Sequence, residues 1–324
     1  MVQDVDTGLR LPAQVIPVPK SLSPQGQAYL AAAGERIAAM ARTGAEAPSQ
    51  TTMEQAAIGF LGPLAANFYG ISESIALQSG AKLLHMKPLN ANGRRAEVAF
   101  MDIHGGGFIS GGGKMCELLA KIKMMDYGIS VFSVDYRLAP THPYPAPLDD
   151  CVAAYAEVLK RFKPSALVVG GASAGGNLAA ATTHRARAAG LPLPCALVLQ
   201  TPALDLARTS DSYHTNKYLD VNLYGGAESG PASYLGQHDP KDPFVSPIYG
   251  DVSNWPPTIL TSGTRDLFLS DTVLMHRALR RKGIQAELHI SEASPHGGFM
   301  GVNAPEDQEI VQECRRFLFN ALNI

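Results

Sequence analysis

The sequence predicts an α/β protein in which a mostly parallel central sheet is covered by helices on both faces. Two observations carry this prediction. Short apolar runs alternate with helix-like segments along most of the 324 residues, and a serine between close glycines separates one such run from an alanine-rich segment. The hydrophobic content of 46% is typical of a globular chain, so we expect a sizeable core in one large domain with an insertion, or in two domains.

Charge and apolar patterning limit the function classes. The formal net charge of −2 shows no basic excess, so nucleic acid is not an expected partner. Residues 1–20 lack a continuous apolar signal region, and no segment approaches about 18 uninterrupted apolar residues, so we expect a cytoplasmic protein without stable membrane association. Four cysteines lie far apart without metal-type spacing, which favours buried reduced thiols over a disulfide pair or a metal site: Cys116, Cys151, Cys195 and Cys314.

Two helices are predicted before the sheet begins. Apolar residues recur at helical intervals over residues 25–41. Thr51 and Glu54 resemble a capping box that opens a second helix, which should end near Gly70. The sequence leaves open whether these helices form an accessory cap or a packed extension. Residues 71–87 have a mixed pattern to which we assign no element.

Strands and helices then alternate along the chain. Strands are predicted at residues 96–103, 129–134, 166–169 and 196–200, and helices at 115–127, 148–162 and 177–189. Short apolar strands separated by helices pair in parallel, with helices on both faces of the sheet. The alternation resumes near the C-terminus with strands at 258–262 and 286–290 and helices at 271–282 and 306–322.

Residues 205–249 interrupt this alternation. They are rich in Gly, Ser, Asp and Pro, and they contain only short helical pieces near residues 212–223 and 231–236. A loop of this length inside a compact domain is usually a lid, a binding segment or disordered. We therefore predict an insertion here.

Ser173 is the candidate nucleophile. A serine at a sharp strand-to-helix turn between Gly171 and Gly175 presents its hydroxyl clear of the backbone. The motif alone is also compatible with an ordinary glycine-rich turn. Three consecutive glycines at residues 105–107, after another predicted strand, can bring bare N–H groups close to a ligand oxygen. The two features together favour acyl transfer by a serine.

His296 and Asp266 are the candidate base and acid. His296 lies in a Ser-Pro-His-Gly-Gly loop after a late strand, whereas the other histidines fall mostly in predicted helices, strands or mobile loops. Asp266 follows the strand at 258–262, at the sheet edge where functional side chains of open sheets collect. Asp271 is better explained as an acid at a helix N-terminus. Asp205 begins the insertion and is not favoured either.

Six short motifs support this assignment: His-Gly-Gly-Gly-Phe at 104–108, Asp-Tyr-Arg-Leu-Ala-Pro at 135–140, Gly-Ala-Ser-Ala-Gly-Gly at 171–176, Ser-Pro at 246–247, Gly-Thr-Arg-Asp at 263–266 and His-Gly at 296–297. As a set they resemble the hormone-sensitive-lipase family of α/β-hydrolase esterases, over roughly residues 75–324. The resemblance implies an α/β-hydrolase fold with a helical cap. It also implies ester hydrolysis with no cofactor and no metal.

The resemblance assigns further roles near Ser173. It implies that the oxyanion is bound by the amides of Gly106, Gly107 and Ala174. In our interpretation His104 braces the glycine segment by hydrogen bonds. Asp135 and Arg137 are expected to form a charged pair that supports the same segment.

The resemblance also divides the chain. It implies a cap in two parts at residues 1–75 and 205–249, and a hydrolase core at 76–204 and 250–324. Ala172 departs from the family pattern, because many members carry an acidic residue there and others threonine. This departure leaves the details of substrate preference open.

The leading hypothesis is a serine carboxylesterase that acts on short- to medium-chain esters through an acyl-enzyme. A lactone hydrolase or an amidase with the same residues is the alternative within the class. A receptor that binds a small ligand without turnover, as the plant gibberellin receptor does on this fold, is the alternative from another class, and His296 argues against it. We also expect a homodimer, paired through an edge strand at 286–290.

Overall fold

Eight strands form one sheet in the computed structural model, which describes residues 8–9, 12–44, 50–226 and 229–324. In chain order they are β1 (Gly70–Ala76), β2 (Lys82–Pro88), β3 (Ala99–Ile103), β4 (Ser130–Asp135), β5 (Leu167–Ala172), β6 (Ala196–Gln200), β7 (Thr258–Gly263) and β8 (Ala286–Ser291). Their spatial order is β1-β2-β4-β3-β5-β6-β7-β8. Strands β3 to β8 run parallel, and β2 is antiparallel to both β1 and β4. The mostly parallel sheet predicted from the sequence is confirmed.

Helices cover both faces of this sheet. The helices of the described residues are, in chain order, α1 (Pro24–Thr43), α2 (Gln50–Ala65), α3 (Lys114–Tyr127), α4 (Ala146–Leu159), α5 (Ala174–Ala188), α6 (Ser212–Thr215), α7 (Ser229–Leu235), α8 (Leu269–Arg281) and α9 (Pro305–Leu322). Those that pack on the sheet are α3 and α9 on one face and α4, α5 and α8 on the other. Successive residues of a strand point to opposite faces. Phe100 of β3 therefore packs into the core layer that contains α3 and α9, and Met101 packs into the layer that contains α4, α5 and α8.

Strands β1 and β2 occupy the stretch that the sequence left unassigned. Three consecutive β1 residues, Ser72, Glu73 and Ser74, are exposed, so this strand lacks the apolar alternation that identifies a half-buried strand. Farther along, the strand predicted at 96–103 is shorter, because residues Gly93–Glu97 form a 3₁₀ helix before β3 begins.

The two N-terminal helices are present with different ends. Helix α1 begins after Ser23, whose hydroxyl accepts the N–H of Gly26 at 3.1 Å. Helix α2 ends at Ala65, because the chain has to reach the start of β1 at Gly70. Thr51 lies inside the first turn of α2, so the predicted capping box is wrong. Residues 1–7, 10 and 11 of the leader lie outside the described residues.

A buried carboxylate fastens the insertion to the core. Asp271 accepts the N–H groups of Leu204 at 2.8 Å and of Asp205 at 2.9 Å, as well as the hydroxyls of Ser210 and Tyr213. Helix α8 begins at Leu269, so Asp271 lies in the first turn of this helix. Burial raises the pKa of Asp271 to about 7. Its main contacts are with the insertion, which the sequence did not indicate.

None of the helices in the described part of the chain has the length and apolar character needed to cross a membrane.

Candidate active site

Ser173 stands at a sharp turn between β5 and α5. Its backbone has φ of 58° and ψ of −122°, and few residues with a side chain adopt a positive φ. The N–H of Ser173 donates to the carbonyl of Gln200 at 2.9 Å, and its carbonyl accepts the N–H of Ala203 at 3.2 Å. A strained turn of this kind holds the serine hydroxyl clear of the backbone.

The positions of the glycines around Ser173 leave no space for a side chain. A Cβ on Gly171 would overlap the carbonyl of Gly175, and a Cβ on Gly175 would overlap the carbonyl of Ile103 at the end of β3. A Cβ on Gly176 would lie 2.7 Å from a side-chain atom of Pro202. The first turn of α5 therefore packs closer to the sheet than any side chain permits.

His296 lies in the loop after β8, and both of its ring nitrogens have partners. Nε2 lies 2.9 Å from Oγ of Ser173, and Nδ1 lies 3.0 Å from Oδ1 of Asp266. Asp266 follows β7, and its Oδ1 also accepts the N–H of Phe268 at 3.0 Å. Its Oδ2 accepts the hydroxyl of Ser262 at 2.6 Å. The structure thus brings together the residues predicted as nucleophile, base and acid.

The surroundings of His296 favour its protonated form. Burial lowers the pKa of His296, but the charge and hydrogen bond of Asp266 and the charge of Asp220 outweigh burial, so the pKa is raised above its ordinary value. Phe268 covers the ring edge-on, with 4.9 Å between the centroids. A base with this raised pKa loses its neutral form as the pH falls through that pKa.

The glycine segment after β3 lies directly against Ser173. A Cβ on Gly105 would lie 3.3 Å from the Cβ of Ser173. Gly106 and Gly107 have φ of 112° and 60°, which glycine adopts readily. Within the part of the chain that the structure describes, the N–H groups of these two glycines and of Ala174 donate to no protein acceptor. These amides are available to a ligand oxygen.

His104 lies beneath the glycine segment, as a bracing role requires. Its Nδ1 donates to the carbonyl of Gly105 at 2.7 Å, and its ring stacks on Tyr136 with 4.1 Å between the centroids. The hydroxyl of Tyr136 donates back to the His104 carbonyl at 3.0 Å. Burial lowers the pKa of His104, so the ring is a neutral structural element.

Asp135 and Arg137 do not form the predicted pair. Asp135 accepts the N–H of Gly113 at 2.8 Å, at the start of α3. Arg137 instead binds Asp150 of α4, with Nη2 at 2.9 Å from Oδ1. Asp150 is fully buried and needs a cation, which Arg137 supplies once the chain has turned away from β4. The prediction of an Asp135–Arg137 pair is therefore wrong.

Asp220 is a neighbour of the site that sequence reasoning missed. It is fully buried, and its carboxylate oxygen, that of Asp266 and a ring nitrogen of His296 lie within 4.8 Å of one another. It stands in the irregular insertion, between α6 and α7. Its side chain accepts the N–H of Asn222 at 3.0 Å, the pattern of an Asx turn. That local turn signal does not indicate a place beside His296.

Two side-chain groups here contain atoms of the kinds that bind metals. One is Asp220, Asp266 and His296, but both ring nitrogens of the histidine already have protein partners. The other is His104 with Asp135 and Cys116, beneath the glycine segment. Burial raises the pKa of Cys116, which disfavours the thiolate that a metal requires. The sequence-based expectation of a site without metal or cofactor stays a prediction.

Comparison with known proteins places this geometry in a family. The chain matches a family model described as the alpha/beta hydrolase fold over residues 100–300. An esterase of Acinetobacter venetianus is 34% identical over 196 residues, which are 58% of this chain and 62% of that esterase. The crystal structure of an esterase called E25 superposes with a TM-score of 0.84 at 29% identity, covering 97% of this chain and 98% of its own. An esterase from the bacterial hormone-sensitive lipase family superposes with a TM-score of 0.79 at 27% identity, covering 93% of this chain and 99% of its own.

The family model spans more than half of the chain, and this protein therefore belongs to the α/β-hydrolase fold family. Its similarity to an esterase from the bacterial hormone-sensitive lipase family agrees with the resemblance that its motifs carry. The match spans 62% of the Acinetobacter esterase, which is less than two thirds of its length.

Proposed function

We propose that this protein is a serine carboxylesterase that hydrolyses short- to medium-chain esters through an acyl-enzyme on Ser173. The proposal rests on two hydrogen bonds: Nε2 of His296 lies 2.9 Å from Oγ of Ser173, and Nδ1 of His296 lies 3.0 Å from Oδ1 of Asp266. We call these three residues the relay. The esterases to which the chain is similar support this class of substrate. Each step below uses groups of the protein and water alone.

Acylation begins when Oγ of Ser173 attacks the ester carbonyl carbon. His296 takes the hydroxyl proton on Nε2, and the buried carboxylate of Asp266 stabilises the resulting imidazolium. The carbonyl oxygen becomes an oxyanion, which the amides of Gly106, Gly107 and Ala174 bind. When the tetrahedral intermediate collapses, the C–O bond to the alcohol breaks, and the proton on Nε2 passes to the leaving alkoxide.

Deacylation repeats these steps with water. His296 takes a proton from a water molecule, whose oxygen attacks the acyl carbon. The bond from that carbon to Oγ then breaks, and Nε2 returns the proton to Ser173. The acid leaves and the enzyme is restored.

Of the two cap parts implied by the resemblance, residues 1–75 and 205–249, we retain the second and shorten the first, because residues 70–75 belong to strand β1 of the central sheet. Gln50 at the start of α2 donates from Nε2 to the carbonyl of Ile109, just beyond the glycine segment, at 2.6 Å. From the insertion, Tyr234 of α7 stacks on Phe108 with 4.0 Å between the centroids. These contacts support a cap that borders the oxyanion segment from two sides.

Acyl length is the first testable consequence. The insertion contributes only short helices among the described residues, of 4 and 7 residues, so it supplies no long apolar lid for a fatty chain. We expect p-nitrophenyl butanoate to be hydrolysed with a kcat/KM about tenfold or more above that of the hexadecanoyl ester. A dispersed assay with graded acyl lengths measures this.

The same screen includes small lactones and p-nitroanilides, with Ser173→Ala as the background. Faster turnover of a lactone or an amide than of every ester would replace the esterase with the alternative hydrolase. Faster hydrolysis of hexadecanoyl than of butanoyl esters would contradict the acyl preference alone. Binding of esters without any turnover would indicate the receptor.

The homodimer is also a proposal. Strand β8 is an edge of the sheet, and its residues are half-buried within the single chain. An edge strand with unpaired backbone groups is a template for pairing with a second copy. We expect light scattering at micromolar concentration to give twice the chain mass, and a monomer mass would contradict the dimer. The cytoplasmic location inferred from the sequence stays a prediction.

A further inference from the structure

Asp220 lies beside the relay and contacts the backbone of both loops that carry it. Oδ2 accepts the N–H of Leu267 at 2.8 Å, and the backbone nitrogen of His296 lies 3.3 Å from both carboxylate oxygens. Leu267 directly follows Asp266 in the chain. A single carboxylate therefore joins the backbone of the acid loop to that of the base loop.

The carboxylate of Asp220 has further donors within its own turn. Oδ1 accepts the N–H groups of Asn222 at 3.0 Å and Leu223 at 3.1 Å. Burial raises the pKa of Asp220 and the charge of Asp266 adds to this, while His296 lowers it, as do the backbone N–H donors. The net effect is a pKa of Asp220 raised above its ordinary value, but each of the four backbone groups that contact this carboxylate is an N–H donor, which an ionised carboxylate can accept.

Asn222 contacts the same loop without a charge. Its Nδ2 donates to the carbonyl of His296 at 2.7 Å and to that of Gly298 at 3.1 Å. Its Oδ1 accepts the hydroxyl of Tyr29 in α1. Asp220 and Asn222 therefore provide a charged and a neutral contact to one loop, and the two can be separated by mutation.

We propose that Asp220 is a positioning residue that fixes the backbone of His296 and whose charge stabilises the imidazolium formed in each half-reaction. The proposal rests on the esterase function proposed above. The carboxylate that contacts the backbone of His296 also lies close to its ring. Here an oxygen of Asp220 lies within 4.8 Å of a ring nitrogen of His296. At such a distance an opposite charge shifts a neighbour's pKa by about 1 to 3.

Other charged and titratable groups lie near Asp220 and His296. Asp266 bonds to the ring of His296, and Asp307 of α9 accepts the N–H of Phe299. Tyr29 of α1 donates to Asn222, and the charge of Arg36 acts on Tyr29. All of these groups are the same in the variants below. A difference between the variants therefore reports on Asp220.

Asp220→Asn is expected to lower the pKa of His296. Without the neighbouring negative charge the imidazolium is less stable, so the neutral base persists to lower pH. The acid limb of the kcat/KM profile for p-nitrophenyl butanoate should move down by about 1 pH unit. Asn222→Ala removes three side-chain hydrogen bonds and no charge, so it should reduce kcat and leave the acid limb in place.

Asp239→Asn is the matched control in the same insertion. Asp239 is exposed, and its Oδ1 accepts the N–H of Lys241 at 2.9 Å, which an asparagine oxygen can also accept. This variant should keep both the wild-type kcat and the wild-type acid limb. If Asp239→Asn moved the acid limb as far as Asp220→Asn does, the loss of any negative charge would be sufficient to move it. That result would overturn the proposal.

The same pKa can be measured without turnover. An NMR titration follows the ring of His296 in wild type and Asp220→Asn, with the signal assigned by its loss in His296→Ala. If the wild-type protein hydrolysed no ester, the proposed esterase function would be contradicted. The titration of His296 could still be measured and would test the role of Asp220 separately. Where Asp220→Asn does not fold, Asp220→Ser takes its place, because a hydroxyl and water can replace the carboxylate. An unchanged pKa of His296 in the folded variant overturns the proposal.

Discussion

Replacing Ser173 by alanine is expected to reduce kcat for p-nitrophenyl butanoate by on the order of 10⁶-fold, and His296→Ala should cost a similar factor. Without Oγ no acyl-enzyme forms, and without the imidazole at 2.9 Å the hydroxyl proton has no acceptor. Because the two residues act as a unit, the double variant should be no less active than either single variant. Residual hydrolysis would come from the oxyanion amides and from binding.

Two exposed residues provide matched controls for these losses. Ser72→Ala and His142→Ala remove the same chemical groups away from the site and should retain the wild-type kcat. Thermal unfolding of all four proteins separates a chemical loss from a folding defect. Wild-type turnover by Ser173→Ala or His296→Ala would rule out the mechanism.

Asp266→Asn is expected to keep the fold and to reduce kcat by about 10²- to 10⁴-fold. With the amide nitrogen towards His296, the ring would be held in the wrong tautomer. With the oxygen towards His296, the tautomer is kept, the hydroxyl of Ser262 can turn to accept the amide, and only the charge that stabilises the imidazolium is lost. The size of the loss therefore reports which orientation the asparagine takes.

Asp271→Asn is the comparison variant, because Asp271 is as buried as Asp266 but bonds to the insertion. We expect it to lower the free energy of unfolding by about 2 kcal/mol, since it leaves buried donors without an acceptor, and to change kcat little. This cost exceeds the value of about 1 kcal/mol or less that a helix-end role would give. Urea unfolding and kcat measure the two effects. An inactive Asp271→Asn beside an active Asp266→Asn would contradict the assignment of the acid.

The residues that form the relay could be predicted because each follows a predicted strand of the sheet. The strands before Ser173 and Asp266 are short apolar runs, and parallel strands bring their carboxyl ends to one edge of the sheet. Gly171 and Gly175 also indicated the turn at Ser173 in the sequence. Only glycine fits at these two positions, because the chain lies too close to the end of β3 for a side chain. Local sequence thus specifies both the strand and the chemistry that follows it.

Features that depend on distant pairing could not be predicted in this way. Arg137 pairs with Asp150 on α4 because Asp150 is buried, and the sequence does not reveal that burial. The β1–β2 hairpin was missed because β1 exposes polar side chains at an edge. Asp220 was missed because its turn signal is local, whereas its contacts with Leu267 and His296 come from loops far along the chain.

Covalent labelling of Ser173 tests the central claim most directly. Diethyl p-nitrophenyl phosphate transfers its phosphoryl group to a serine that a neighbouring base activates, and p-nitrophenolate leaves. Mass spectrometry of the intact protein and of its peptides is expected to find one diethylphosphoryl group per chain, on Ser173, together with complete loss of esterase activity. Ser173→Ala is expected to remain unlabelled. Labelling of a different residue, or unimpaired ester hydrolysis by the fully labelled enzyme, would contradict the acyl-enzyme account.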